Sequence, residues 1–183
     1  MCPQIYRLPN GAYPFLRLSD EKLRKECRVD PYQASGPGGQ KRNRKYSAVR
    51  IIHLTTGLST IAEEGRSQAE NKARALRRLR SMIALNVRQD CPPEQFKIIQ
   101  EIKELFRPDR PFRINVKNPL YPIFCATILD VLFLQGGRIG DACAMLKISS
   151  GQLGRILKKD KELFTAVNRL REQFDLKPLR MGK

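Results

Sequence analysis

The stretch SAVRIIHLTTGLSTIAEE, residues 47–64, limits the fold more than any other part of the chain. Val49, Ile51 and His53 alternate with Arg50, Ile52 and Leu54, the period of a strand with one face toward a core. Thr55-Thr56-Gly57 supplies a turn and LSTIA returns as a second strand, so the segment reads as a β-hairpin. Directly behind it, RSQAENKARALRRLRSMIALNV has helical period, with Ala69, Ala73, Leu76, Leu79, Ile83 and Val87 on one stripe. Ser67, with Glu70 three residues later, is a capping-box signature for its start. Hairpin and helix together can bury one core, which makes this part of the chain α+β.

The flanking segments fit that frame. LSDEKLRKEC predicts a short helix over about residues 20–26, capped by Ser19, with Leu18 and Leu23 as a hydrophobic staple. Lys22 stands where a full capping box would have Glu. CRVDPYQAS then reads as a strand that tolerates Pro31, hence an edge strand or one that bends. Downstream, PEQFKIIQEIKELF predicts a helix with Phe96, Ile99, Ile102 and Phe106 on one face, and RPDRPFRINVKNP predicts a basic, proline-rich linker. From Leu120 on, the pattern is all helix. Segments are expected over about 121–134, over 139–146, from Ser149 or Ser150, and from Asp160, with Ala142, Leu146, Ile148, Leu153, Ile156 and Leu157 inside. The two short helices joined by a tight turn have helix-turn-helix shape. The expected domains are 1–88, a linker over 89–118 with a short helix, and a helical module over 119–183. No internal repeat is visible.

Charge narrows the partners. Against 18 acidic residues stand 35 Lys and Arg, a formal net charge of +17. Such a field favours polyanions, either nucleic acid or an anionic membrane. The most apolar run, LYPIFCATILDVLFLQGG, is interrupted by Pro122 and Asp130 and falls short of a bilayer span. The start, MCPQIYRLPN, lacks the apolar core of a secretory signal. Five scattered cysteines without a CxxC, and one histidine, give no zinc site and suit reduced thiols inside a cell. No metal and no cofactor are expected.

Residues 34–50, ASGPGGQKRNRKYSAVR, pose the functional question. Gly36, Pro37, Gly38 and Gly39 precede one glutamine and then a burst of cations. Neither GxxxxGK[ST] nor GxGxxG is present, so the loop is not a nucleotide cradle of those types. Glutamine has no useful pKa, so Gln40 cannot be a general base. Its work would be positional: a backbone N–H aimed at developing charge and an amide that orients water. No Ser-His-Asp set accompanies it, and Asp20, Asp30, Glu63 and Glu64 show no paired-carboxylate logic. From Gly36 to Arg80 there are eleven Lys and Arg against three Glu, net +8. A neutral amide among cations fits a reaction centre supplied by RNA.

The ordered set SGPGGQ, N, SAVR, H, TG, RSQ, N, spread over about 70 residues, resembles the catalytic domain of class I peptide chain release factors and of the short ribosome-rescue hydrolases. The resemblance implies a small mixed or antiparallel sheet on a long helix with a protruding GGQ loop. It implies that the tip enters the peptidyl transferase centre and promotes hydrolysis of the peptidyl-tRNA ester. Carried over, Gly38 and Gly39 permit the backbone geometry, and the Gln40 N–H stabilises oxygen charge while its side chain shapes the water site. Gln40 is also a candidate for side-chain N-methylation. Lys41, Arg42, Arg44, Lys45 and Arg50 would hold the arm against rRNA. Asn43, His53, Arg66, Ser67, Gln68 and Asn71 match family positions and are expected to be structural, Asn71 and Arg66 bracing the core or the loop base.

The sequence also departs from the family. No PxT or SPF-like codon-reading tripeptide is visible, and the end, LREQFDLKPLRMGK, is only mildly basic. Codon-independent rescue of stalled ribosomes is therefore the expected activity. A stop-codon-dependent factor with a partner, or a nucleic-acid-binding regulator, are the alternatives. Gln40→Ala separates them, removing hydrolysis and leaving binding. Residues 138–183 hold eleven Lys and Arg against five acids, and their helix-turn-helix would present Ser149, Ser150, Gln152, Arg155, Lys158 and Lys159 to nucleic acid. The expected partners are the ribosome through large-subunit rRNA and P-site peptidyl-tRNA, with small-subunit rRNA or the mRNA channel for the helical module. A cytoplasmic monomer without membrane contact is expected.

Overall fold

A computed structural model of the protein describes residues 5–32, 47–106 and 114–180. The chain forms two compact units: residues 14–83, and a second built from residues up to Tyr13 and from Ala84 onward.

In the first unit, α2 (Asp20–Lys25) follows a short helix, α1 (Tyr13–Leu16), and leads into a three-stranded antiparallel sheet. Its strands are β2 (Cys27–Pro31), β3 (Val49–His53) and β4 (Ser59–Ala62), with β3 in the middle. The register pairs Cys27 with His53, Pro31 with Val49, and Val49 with Ala62. Pro31 is tolerated because β2 is an edge strand and Pro31, opposite Val49, stands where the ladder asks for no N–H, the next N–H toward β3 coming from Tyr32. Val49, Ile51 and His53 are buried, while Arg50 and Ile52 between them are half-buried, as the alternation requires. Gly57 closes the hairpin with φ +68°, and open space surrounds its α-carbon, so backbone conformation alone calls for glycine. Ser19 caps α2, its Oγ accepting from the Lys22 N–H at 3.3 Å, and Leu23 is fully buried.

The long helix α3 (Gln68–Asn86) starts where Ser67 Oγ accepts from the Ala69 N–H at 3.2 Å. Leu76, Leu79 and Ile83 are buried as the stripe predicts. Its N-terminal edge differs: Ala69 is exposed, Ala73 half-buried, and the buried face begins with Asn71 and Ala75. A hydrophobic period cannot reveal a polar residue whose hydrogen bonds are all made internally. Thr60 Oγ1 donates to Ala75 O at 3.0 Å, stitching β4 to α3. Arg80 donates to Leu16 O at 3.2 Å, Leu18 O at 2.7 Å and Asp20 at 2.8 Å, tying α3 to the turn before α2.

The second unit contains a feature not expected from the sequence, a parallel pair of β1 (Tyr6–Leu8) and β5 (Val87–Gln89). Its core is α5 (Tyr121–Leu134), numbered after the one-turn α4 (Gln100–Lys103). Ile123 to Leu132 of α5 are buried without a break, so the apolar run is an all-round core helix. No helix among the described residues is long and apolar enough to cross a membrane. Gly136 (φ +59°) and Gly137 (φ +76°) end it, the Gly137 N–H returning to Leu132 O at 2.8 Å. The helices α6 (Ile139–Leu146), α7 (Ser150–Lys159) and α8 (Lys161–Glu172) complete the unit, with Ala142, Leu146, Ile148, Leu153, Ile156 and Leu157 buried. Together the two units give the α+β architecture with an all-helical C-terminal region.

One expected helix is broken. Over 93–106 the chain makes a 3₁₀ turn at Pro93–Gln95, α4, and a second 3₁₀ turn at Glu104–Phe106. Phe96 (ψ 130°) and Ile99 (ψ 147°) are extended. A lone helix of this length is marginal in water. Burial of Phe96, Ile102 and Phe106, with Phe106 stacked on Phe124 at 5.5 Å, outweighs it.

Candidate functional site

Gly38, Gly39, Gln40, Lys41, Arg42, Asn43, Arg44 and Lys45 lie outside the described residues. What the structure describes is the root from which that loop leaves and to which it returns. The Tyr32 N–H donates to Ala48 O at 3.0 Å, extending the β2–β3 ladder one step beyond Pro31. Arg50, half-buried on β3, sets its guanidinium 5.0 Å from the Tyr32 ring centroid. This is a cation–π contact at the last described residue before the glycine-rich segment.

On the returning side, Asn71 is the fastener. Its side chain is fully buried. Its Nδ2 donates to Ser47 O at 2.8 Å and Gly65 O at 3.1 Å, and its Oδ1 accepts from the Gly65 N–H at 2.8 Å. Ser47 Oγ adds a bond to Gly65 O at 2.9 Å. One amide from α3 therefore ties the first residue after the loop to the segment leading out of β4. Gly65 is needed for close approach, since a Cβ there would lie 2.8 Å from Asn71 Oδ1. Sequence reasoning singled out Asn71 but missed Ser47, Gly65 and Tyr32. The available signal was a glycine directly before the RSQ segment.

This network yields a measurable expectation. Asn71→Ala strands the Gly65 N–H in a buried place and removes the bonds to Ser47 O and Gly65 O, and should cost about 2–3 kcal/mol in urea unfolding. Asn71→Asp keeps the acceptor but loses both N–H donors and sets an anion against two carbonyls, so it should be at least as harmful.

The other marked positions have different surroundings. Arg66, Ser67 and Gln68 are exposed at the start of α3, Ser67 serving as its cap. His53 lies at the far end of β3, about 13 Å along the strand from Val49 by strand rise. It is fully buried, with Nδ1 2.9 Å from Thr56 Oγ1 and the Phe15 ring edge-on at 4.5 Å. Burial holds its pKa below 6.5, only partly opposed by Glu26. The imidazole is thus neutral in the fold but takes a proton more readily when unfolded. Stability is complete above pH 6.5 and falls as pH drops through the depressed folded value. Urea unfolding between pH 7.5 and 5.5 should show this slope, and His53→Phe should flatten it, because His53 is the chain's one histidine.

Three of the acidic residues singled out in the sequence are paired with arginines. Asp30 pairs with Arg28 at 3.1 Å, Asp20 with Arg80 at 2.8 Å, and Glu64 with Arg78. Among the described residues no cluster of His, Cys, Asp and Glu could hold a metal ion. In the helical unit, Arg155, Lys158 and Lys159 are exposed on α7. Ser149 Oγ accepts from the Gln152 N–H at 3.1 Å, and Gln152 Oε1 accepts from the Ser149 N–H at 2.7 Å. They form a capping box.

A sheet backed by one long helix, with the glycine-rich sequence between two of its strands, is the arrangement that comparison with known proteins bears on. The RF-1 domain model matches residues 20–116, more than half of the chain, and the protein belongs to that family. Peptide chain release factor 1 of Solidesulfovibrio magneticus is 51% identical over 65 residues, covering 36% of this chain and 18% of that protein. Its counterpart in Magnetococcus marinus is 45% identical over 88 residues, 48% of this chain and 23% of that one. Peptide chain release factor 1 of Rickettsia akari is 39% identical over 111 residues, 61% of this chain and 30% of that protein. The chain thus spans less than a third of the length of these relatives.

Proposed function

We propose that this protein promotes hydrolysis of the peptidyl-tRNA ester on the ribosome, with Gly38, Gly39 and Gln40 as the reacting tip. The observation that carries this reading is the rooted loop: Tyr32 bound to Ala48 on one side and Asn71 fastening Ser47 and Gly65 on the other. Family membership adds that this loop belongs to a release-factor domain.

In the proposed reaction, water attacks the ester carbonyl. The bond to the terminal ribose oxygen breaks and the hydroxyl leaves with a proton. The Gln40 N–H stabilises the oxygen charge that develops, and the amide side chain holds the water. Lys41, Arg42, Arg44 and Lys45 neutralise rRNA phosphates, and Asn71 fixes where the arm starts. Large-subunit rRNA and P-site peptidyl-tRNA are the partners, in the cytoplasm. Arg155, Lys158 and Lys159 offer the helical unit a contact with small-subunit rRNA or the mRNA channel.

The trigger divides into two readings. Rescue of stalled ribosomes is the activity expected from the sequence pattern. Release at a stop codon rests on the relatives, which are named peptide chain release factor 1, and this observation favours it. The test loads ribosomes with labelled peptidyl-tRNA and presents a stop codon, a sense codon, or an mRNA truncated at the P site. Release at stop codons, with or without an added partner, supports termination. Release on truncated mRNA alone supports rescue. No release in any arm, with ribosome binding intact, overturns the hydrolytic reading.

A further inference from the structure

The helical unit contains a cleft of about 580 Å³ that the hydrolytic reading does not use. Lys97, Lys103 and Lys147 stand around it, and Ile98, Phe106 and Met145 supply apolar surface. One wall comes from the segment around α4, inside the family match. The other comes from the end of α6, beyond that match. All three lysines are exposed, and none belongs to a salt bridge described among these residues. Phe106 is buried, stacked on Phe124, and lies at the floor of the cleft. Gln100 offers an amide with both donor and acceptor, and Glu104 is the single acid at the cleft.

Lys147 adds a second, independent observation. It is the residue that ends α6, in left-handed conformation with φ +56°. That position favours glycine, because any side chain there is strained. The chain instead places a cation there, at the mouth of the cleft. A strained residue at a cleft is a pointer to function.

We propose that this cleft binds single-stranded RNA, taking one unstacked nucleotide. Its base lies on the apolar floor, and Lys97, Lys103 and Lys147 hold the flanking phosphates. The volume lies in the range of pockets that enclose a small organic ligand. Charge complementarity selects a polyanion, and the apolar surface selects one with flat faces to bury. Gln100 meets the base edge.

The test measures anisotropy of a fluorescein-labelled, mixed-sequence 12-nucleotide RNA on the full chain. Lys41, Arg42, Arg44 and Lys45 are changed to Gln to silence the loop. Lys97→Gln/Lys103→Gln/Lys147→Gln should weaken binding at least about tenfold and make the log–log salt slope shallower by about 2. Ile98→Ser should weaken it about fivefold with the salt slope unchanged, the mark of lost base contact. Lys147→Gly should raise the melting temperature and weaken binding together. The proposal is overturned if duplex RNA or polyglutamate binds as tightly as the single strand. It is also overturned if the loss follows Arg155→Gln/Lys158→Gln/Lys159→Gln instead, or if Lys147→Gly stabilises with affinity unchanged. None of these outcomes bears on peptide release, which the ribosome assay reads separately.

Discussion

Gln40→Pro is expected to lower the rate of peptide release about 10²–10³-fold, the usual effect of removing one donor from an oxyanion site. Proline has no backbone N–H, so the substitution deletes the donor assigned to the developing oxygen charge. Gln40→Ala keeps that N–H and deletes the amide that holds water. It too should lose hydrolysis, but for a different reason, and the two can be separated. A small, strong nucleophile such as hydroxylamine needs no positioned water. Added at high concentration, it should restore ester cleavage to Gln40→Ala and not to Gln40→Pro. Unfolding midpoints measured in parallel separate lost chemistry from lost fold. A Gln40→Pro protein that releases peptide at the parent's rate would remove the backbone of Gln40 from the mechanism.

Gln40 and Asn71 differ in how a sequence can point to them. The glycines, the glutamine and the cations are a local pattern, visible because their chemistry lies in adjacent residues. The root of the loop is not local. Asn71 acts on Ser47, 24 positions earlier, and on Gly65. Nothing in the spacing of these residues reveals that one amide satisfies them both. The fold divides in the same way. The hairpin, Ser19, the Ser149 cap and the helices from Tyr121 onward follow from period and punctuation. The β1–β5 pair was hidden because three-residue strands carry no usable alternation and join segments about 80 positions apart. The segment 93–106 was misread because its apolar spacing fits a helix while its burial is met by turns and extended residues.

Arg88 and Asp130 were the least legible residues, and they carry the largest expected effect on stability. Both side chains are fully buried in the second unit. Arg88 Nη1 donates to Asp130 Oδ1 and to Ala126 O, each at 3.1 Å, and Nη2 donates to Ala84 O. The Gln89 N–H also reaches Asp130 Oδ1, at 3.0 Å, so the pair joins β5 to α5. Asp130→Asn leaves a guanidinium buried without its counter-charge and should cost about 3–5 kcal/mol. That is a large share of the roughly 5–15 kcal/mol that holds a domain folded. Arg88→Met should be milder, because the two survivors differ chemically. A guanidinium cannot shed its proton within reach of ordinary pH, whereas a carboxyl can accept one. Burial already pushes Asp130 above 3.8 despite the pull of Arg88. Without that pull it rises further. A folded value above the unfolded one contributes stability that is full at low pH and lost as pH rises through the folded value. The deficit of Arg88→Met should therefore shrink as pH falls from 7 toward about 4.5, while that of Asp130→Asn should not. Arg88→Met/Asp130→Leu should then recover much of the loss, since replacing both charges leaves no unpaired ion, though the Gln89 N–H still lacks its acceptor. Urea unfolding of the three variants at both pH values completes the cycle. A double variant as unstable as the sum of the singles would mean that the two residues act on the fold independently, and that the ion pair is not what makes either of them matter.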